Sequence, residues 1–455
     1  MMKEFWKDKQ FSTMQILAIG FLGVIFLGGI LLYLPVSNQQ PISFLDALFT
    51  STTAVCVTGL VTVVPATQFT LFGKIILLLL IQIGGLGIIA CMIGFFIILK
   101  KRISIRERIL IQETYNMTGL TGMIAFVLKI LKGTFVAEGI GAILYSFQFV
   151  PEYGLEKGIA YSIFHSVSAF CNAGIDILGN DSFMRYTSNP IINITTMLLI
   201  VMGGLGFIVW FDVRDTYKKV SDKRRFWAKL SLHSKLVLVM TGGMIVLGTL
   251  FVLVLEFHNP DTIGNLPIGE KIMASMFHSV STRTAGFATV SQVDLRAGTK
   301  FLSSIWMFIG GSPCGTAGGV KTTTIAMLLL TCVNVMYGKR DTECFGRKVP
   351  DENFRTGFSV VLMGYLFLMV GMVGLTVLEP EIDFLNLMYE GVSAIATVGL
   401  TADVTGRLGD LSKIVIMCMM YIGRLGPVTV ALIFGTKKNR KERVRQLAEQ
   451  RIIVG

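Results

Sequence analysis

The chain has 455 residues, of which 53% are hydrophobic and only 15% charged, against about 25% charged in ordinary soluble domains. Repeated apolar runs near the ~20 residues needed to cross hydrocarbon exclude a soluble globular protein and point to a polytopic membrane protein. The net charge of +12 does not indicate nucleic acid: 28 of the 41 Lys and Arg fall in five places, 3 in Met1–Phe11, 5 in Lys100–Met117, 8 in Asp212–Lys235, 5 in Tyr337–Arg355 and 7 in Gly435–Gly455.

That clustering is the positive-inside pattern, and it puts these five stretches on the cytoplasmic side of a cell membrane, facing anionic lipid. Met1–Phe11 is charged, and the apolar run Thr13–Leu34 is long enough to be a retained span rather than a cleaved signal. Each interval between basic stretches then has the same plan: a long apolar run, a short weakly polar segment ending in Gly, a polar stretch, and a second long apolar run. The spans are Thr13–Leu34 and Leu71–Leu99, Ile124–Phe149 and Pro190–Phe211, Leu232–Phe257 and Thr299–Val335, and Gly357–Leu378 and Leu411–Phe434. Eight spans with a basic stretch after every second one leave both termini inside, so the four units share one orientation and are parallel repeats. The expected division is 1–99 for repeat 1 with its cytoplasmic N-terminus, 100–211 for repeat 2, 212–337 for repeat 3, 338–434 for repeat 4, and 435–455 for a cytoplasmic tail.

The short segments read FTSTTAVCVTG at Phe49–Gly59, FHSVSAFCNAG at Phe164–Gly174, FHSVSTRTAG at Phe277–Gly286, which is one residue shorter, and YEGVSAIATVG at Tyr389–Gly399. A second landmark follows each: IGGLG at Ile83–Gly87, MGGLG at Met202–Gly206, IGGSP at Ile309–Pro313 and IGRLG at Ile422–Gly426. Helix-compatible runs such as Leu45–Thr53 and Phe384–Ser393 are too short to cross, so they lie at the interface or re-enter. Non-helical backbone at membrane depth is tolerated only where protein or a watery cavity satisfies it. Four re-entrant half-helices around one axis would supply that cavity. Their C-terminal ends, each worth about half a negative charge, would point inward, and backbone carbonyls would replace the hydration shell of a monovalent cation. The alternative is four ordinary Gly turns in loops, which leaves the matched landmarks unexplained.

Other features admit two readings. His165 and His278 look like a metal pair by name but fall in different repeats, which favours polar packing. The seven Cys (56, 91, 171, 314, 332, 344, 418) have no CxxC spacing, which argues against zinc and disulfide frameworks. GGSPCGTAGG at Gly310–Gly319 interrupts the second span of the third unit, because five Gly and a Pro cannot continue a membrane helix. It is either a movable gate or a static kink. GTAGGVKT at Gly315–Thr322 lacks the Gly before Lys321 that a phosphate-binding loop needs, and is rejected as a nucleotide site. Arg424 replaces the second Gly of its IGG motif inside an apolar span. There it either faces a cavity, as a barrier to cations, or pairs with a carboxylate.

With SVSTRTAGF (Ser279–Phe287), GGSPCGTAGGVKTTT (Gly310–Thr324) and the repeat plan in view, nearly the whole chain resembles the bacterial Trk/Ktr and plant HKT potassium transporters, most of all the KtrB-type membrane subunits. The resemblance implies an all-α fold of eight transmembrane helices and four pore helices in pseudo-fourfold array. It implies a filter built from Val57, Thr58, Gly59, Asn172, Ala173, Gly174, Thr284, Ala285, Gly286, Thr397, Val398 and Gly399, with K+ held by backbone carbonyls at the four glycines. Some relatives carry Ser at the first of these and pass sodium, so Gly59 favours potassium. Each filter has one Gly and differs from TVGYG, so discrimination is expected to be looser and sodium could bind or couple. The likeness also implies a gate beneath the filter, formed by Gly310, Gly311, Ser312, Pro313, Cys314, Gly315, Thr316, Ala317, Gly318 and Gly319 with Lys321 and Arg424. It implies a homodimer on an octameric cytosolic ring of the KtrA (RCK) type. That partner, not this chain, would bind nucleotide, and the basic stretches and the tail Lys437–Gly455 would be docking surfaces. No covalent cofactor and no enzymatic activity are expected. The rival class is a secondary transporter working by alternating access, which would show broken helices in paired positions of two inverted halves.

Overall fold

The computed structural model describes residues 13–99, 103, 108, 112, 122–179, 181–339, 341–427, 429 and 430. The tail 435–455, and with it the proposed docking segment, lies outside the described residues, as do Met1–Phe11 and most of Lys100–Met117.

Four long helices each lead into a short one packed against them: α1 (Thr13–Tyr33) with α2 (Phe44–Cys56), α5 (Met123–Tyr153) with α6 (Leu155–Phe170), α9 (Leu232–Glu256) with α10 (Ile268–Ser281), and α13 (Asp351–Leu378) with α14 (Phe384–Ile395). The helices between these pairs are α3 (Leu71–Leu86) and α4 (Ile88–Ile98), α7 (Pro190–Leu205) and α8 (Phe207–Lys219), α11 (Ala297–Phe308) and α12 (Thr322–Met336), and, after α14, α15 (Asp410–Leu425). A small hairpin, β1 (Glu343–Cys344) paired antiparallel to β2 (Arg347–Lys348), stands between α12 and α13.

Composition explains which side faces out. Outer faces present large apolar side chains such as Phe26, Leu27, Val370 and Val373, whereas Thr50, Ser51, Thr53, Ser166, Ser168, Ser279 and Ser281 are fully buried. In lipid there is little hydrophobic drive between helices, so close approach at small residues and interhelical hydrogen bonds hold them. Three pairs use the same device. Gly28 leaves room for Ser51, Gly141 for Ser166 and Gly248 for Ser279. Each hydroxyl then donates to a carbonyl three residues before that glycine: Ser51 to Ile25 at 2.7 Å, Ser166 to Glu138 at 2.6 Å and Ser279 to Ile245 at 3.0 Å. Each such bond contributes about 0.6 kcal/mol. Short helices are started by side-chain caps: Ser43 accepts from Asp46 N–H in α2, and Asp383 accepts from Leu385 and Asn386 N–H in α14.

Two expected spans differ from the sequence reading. Leu71–Leu99 and Pro190–Phe211 do not run straight: α3 and α4 meet at 105°, and α7 and α8 at 95°. The turning residues are Gly87 (φ 84°) and Gly206 (φ 88°), the last glycines of their GGLG motifs, and Gly426 (φ 90°) ends α15 in the same conformation. Residues with a Cβ rarely adopt such a backbone, so these glycines stop the helix. The expectation of unbroken spans at Leu71–Leu99 and Pro190–Phe211 is therefore corrected. By length and apolarity α1, α9 and α13 can each cross a bilayer as one helix, and the two bent pairs raise that number to five. The 31-residue α5 is long enough but carries Lys129, Lys132 and Glu138.

Candidate functional site

The four Gly-ended segments share one backbone recipe. Two residues before each glycine a non-glycine residue is left-handed: Val57 (φ 56°), Asn172 (φ 60°), Thr284 (φ 65°) and Thr397 (φ 53°). The glycines follow at φ 106°, 63°, 78° and 95° for Gly59, Gly174, Gly286 and Gly399. A left-handed β-branched residue is a true outlier, with a cost of order 1–3 kcal/mol that surrounding structure must over-determine. The restraint comes from the helix end. Thr58 N–H donates to Thr53 O (2.9 Å), Ala173 to Ser168 O (2.8 Å) and Val398 to Ser393 O (2.8 Å). In the shorter third segment Ala285 reaches Ser281 O (3.0 Å) across one residue fewer. The Ser or Thr side chain adds a second tie. Thr53 accepts from Gly59 N–H at 2.9 Å and Ser393 from Gly399 N–H at 3.0 Å, while Ser168 donates to Ile175 O at 2.6 Å.

These segments meet in a closed ring. A side-chain carbon added at Gly59 would lie 2.7 Å from Ala173 O, one at Gly174 2.5 Å from Ala285 O, and one at Gly286 2.7 Å from Val398 O; one at Gly399 would strike Thr58 O. Each glycine thus abuts the carbonyl just before the glycine of the next segment, in the order first, second, third, fourth and back to first. The sequence-predicted residues from Val57 to Gly399 are brought together at one place, where the C-terminal ends of α2, α6, α10 and α14 converge. Four partial negative charges and a ring of carbonyls suit a desolvated cation. Among the described residues no cluster of three His, Cys, Asp or Glu could hold a metal ion. His165 bonds Tyr161 O at 2.7 Å and His278 bonds Ser303 Oγ at 2.9 Å, each within its own unit.

A cavity lies on either side of the ring. One, of about 300 Å³, is lined by the four glycines with Asp176, Thr401 and Asp403. The other, of about 290 Å³, is lined by Gly85, Gly87, Cys314, Ala317, Lys321 and Arg424. The loop between α11 and α12 comes between them, directly against the ring segments. Gly318 leaves no room for a Cβ beside Thr397 Oγ1, Gly319 lies against Ala396 O, and Thr316 Oγ1 donates to Phe170 O at 3.2 Å. Its own ends are joined by Gly310 N–H to Val320 O (2.9 Å) and Thr322 N–H to Gly311 O (3.1 Å). Ser312 N–H and Thr316 N–H bond the carbonyls of Gly204 and Gly203, and Phe207 N–H bonds Cys314 O, so Pro313 to Gly315 sit on the α7–α8 bend.

Both cations of the loop region hold backbone rather than acids. Lys321 Nζ donates to Ala317 O (2.8 Å) and Gly318 O (3.4 Å). Arg424 donates from Nη1 to Thr316 O and from Nη2 to Gly84 O, bridging the loop to the end of α3. Carboxylate pairing, the other reading of Arg424, is not what the geometry has. Sequence reasoning missed three groups here. Arg283, buried next to Thr284, bonds Thr241 Oγ1 at 3.3 Å; its only signal was a charge inside SVSTRTAGF. Half-buried Gln82 and buried Glu138 form a pair behind the second segment, with Nε2 to Oε1 at 3.0 Å.

Residues 7–443 match the TrkH family model, described as cation transport protein. The Ktr system potassium uptake protein B of Bacillus subtilis is 38% identical over 444 residues, covering 96% of this chain and 97% of that protein. The potassium/sodium uptake protein NtpJ of Enterococcus hirae is also 38% identical, over 452 residues and 98% of each chain. These relatives are transporters, not enzymes. In fold, the crystal structure of the potassium transporter TrkH from Vibrio parahaemolyticus matches with a TM-score of 0.73, over 94% of this chain and 86% of that one, at 20% identity. The ring, the broken helices and this likeness over nearly the full length agree, and the chain belongs to the TrkH family of cation transport proteins.

Proposed function

We propose that the chain is the ion-translocating membrane subunit of a potassium uptake system, passing K+ through a filter to which each of four parallel repeats contributes one segment. The observation that carries this is the closed ring in which each glycine abuts the next segment's carbonyl. Carbonyls fixed by helix ends can replace water around a dehydrated alkali ion without a charged ligand. The relatives' names, one of potassium uptake and one of potassium/sodium uptake, support K+ as cargo with sodium as competitor or companion. Gly310–Gly319, clasped by Lys321 and Arg424, is the gate in this reading: it fills the path below the ring, and its carbonyls are held by two cations that themselves oppose a passing cation. The alternating-access reading wanted breaks in two inverted halves. Gly87, Gly206 and Gly426 instead turn at matching places in the first, second and fourth units, which supports a parallel pore.

Cytoplasmic termini, a homodimer in the cell membrane, and a nucleotide-binding cytosolic ring docked on the basic surfaces complete the proposal. The name of the B. subtilis relative, a component of a Ktr system, supports a partner. The test is ion flux from purified chain in liposomes with K+ and Na+ compared. K+ flux exceeding Na+ flux is expected, and flux of neither ion would overturn the assignment.

A further inference from the structure

The seam between the first two units is only partly closed. α3 packs against α6, but beside them lie two cavities of about 330 Å³ each, which share Leu78 and Ile163 and so form one groove. Along α3 it runs from Leu71 to Gln82, and along α6 from Lys157 to Val167. At 1.5 Å per residue the α3 wall is about 17 Å long, close to half of the ~30 Å hydrocarbon core and so to the depth of one leaflet. Its third wall is α5, where a Cβ added at Gly139 would meet nothing within 4 Å. The outward side chains Ile159 and Ile163 of α6, the helix that leads into Asn172–Gly174, are exposed beside it.

The middle of the groove is apolar, and its two ends are polar in different ways. At one end Gln82 and Glu138 bond each other at 3.0 Å. At the other stand two lysines, Lys74 on α3 and Lys157 on α6. Lys74 is half-buried and directs one of its three ammonium hydrogens to Ala66 O at 2.8 Å. Lys157 is exposed. Neither takes part in an ion pair among the described residues, and the two positive charges repel each other. Snorkelling accounts for one lysine near a helix end, but not for two like charges set across the mouth of one apolar groove. A second groove, of about 520 Å³ between α11 and α13, gives the contrast, since no charged residue lines it.

We infer that this groove is a binding site for an anionic phospholipid, with the phosphate between Lys74 and Lys157 and one acyl chain laid along α3 and α6 toward Gln82. A ligand that is anionic at one end and hydrocarbon for the depth of a leaflet matches the groove at both. In the orientation proposed above it sits in the outer leaflet and backs α6. A second copy of this chain fits less well, because a two-fold contact would bring two more lysines to the same seam. The test is native mass spectrometry of the full-length chain in detergent, titrated with dioleoyl phosphatidylglycerol or dioleoyl phosphatidylcholine. Wild-type chain is expected to keep one phosphatidylglycerol under conditions that strip phosphatidylcholine, whose choline offsets the phosphate. Each lysine at a membrane surface adds about fivefold, so Lys74→Gln with Lys157→Gln is expected to weaken phosphatidylglycerol about thirtyfold. Gly139→Leu, which projects into the groove, is expected to keep wild-type thermal stability and to lose the same lipid; the lysine variant keeps the test intact if Gly139→Leu does not fold. Equal retention of the two lipids by wild type, or unchanged phosphatidylglycerol binding in either folded variant, overturns the site. Loss of a dimer in place of lipid in Gly139→Leu would give the groove to a second copy and overturn it as well.

Discussion

At Gly399 a single added methyl would strike Thr58 O, and at Gly59 it would come within 2.7 Å of Ala173 O. Both glycines also hold a φ that residues with a Cβ avoid. Gly59→Ser must therefore push its segment out of the ring, and the fit around one ion size is lost. The expected outcome is a markedly lower K+/Na+ flux ratio with K+ flux retained; discrimination as sharp as wild type would show that Gly59 is not in the filter. Gly399→Ala, which meets backbone at closer range, should lose folded protein as well. Arg424 works differently, through charge and through its grip on Thr316 O and Gly84 O. With the loop as the proposed gate, Arg424→Ala would remove a barrier and the clasp together, so flux should rise severalfold in folded protein. Arg424→Lys, a point charge without the planar fork, should fall between the two. Unchanged or reduced flux in Arg424→Ala protein of normal thermal stability would count against a gate. The glycines and Arg424 were legible from the sequence because each breaks an apolar or repeated pattern. Left-handed Val57, Thr284 and Thr397 were not, because β-branched residues normally argue against that conformation; hydrogen bonds back to the helix ends hold them there.

At the scale of elements, the bends at Gly87 and Gly206 differ in what they touch. A methyl at Gly87 would meet nothing within 4 Å, whereas one at Gly206 would strike Pro313 O in the loop. Gly87→Ala should cost only the backbone strain, of order 1–3 kcal/mol. Gly206→Ala should cost more, and it should also raise flux by displacing the loop from its seat on the α7–α8 bend. Thermal unfolding in detergent together with liposome flux checks both, and equal destabilisation with unaltered flux in the two variants would separate the bend from the gate. Sequence reading placed the short helices well: Phe384–Ser393 was expected and α14 is Phe384–Ile395. It missed these bends because GGLG inside a long apolar run reads equally as a close-packing motif of a straight helix. The φ of the last glycine decides between the two, and no spacing in the sequence encodes it. Gln82 and Glu138 were invisible for a related reason. Each is a lone polar residue in an apolar run, 56 positions apart, and only the fold makes them neighbours.

At the scale of the whole molecule, one cavity is lined by the ring glycines, another by the loop with Lys321 and Arg424, and the loop packs against the ring segments. Such an arrangement needs only the loop to move for ions to pass, while an alternating-access carrier must re-pack half of its helices in every cycle. The two cases differ in how transport responds to force. A gated pore at fixed K+ concentration should carry flux that grows with the applied membrane potential in either direction, since ions enter and leave by knock-on between adjacent sites. In a carrier a conformational step of fixed rate limits turnover, so flux levels off as the potential grows. The measurement is K+ flux into liposomes clamped at a series of potentials, using chain with the loop shortened within Gly311–Gly319 so that the gate does not limit passage. Continued growth of flux with potential is the expected outcome. A plateau in the shortened chain would mean that something larger than the loop moves with each ion. The ring of carbonyls would then be a binding site in a moving body, and the bends at Gly87, Gly206 and Gly426 would become the first places to look for its hinges.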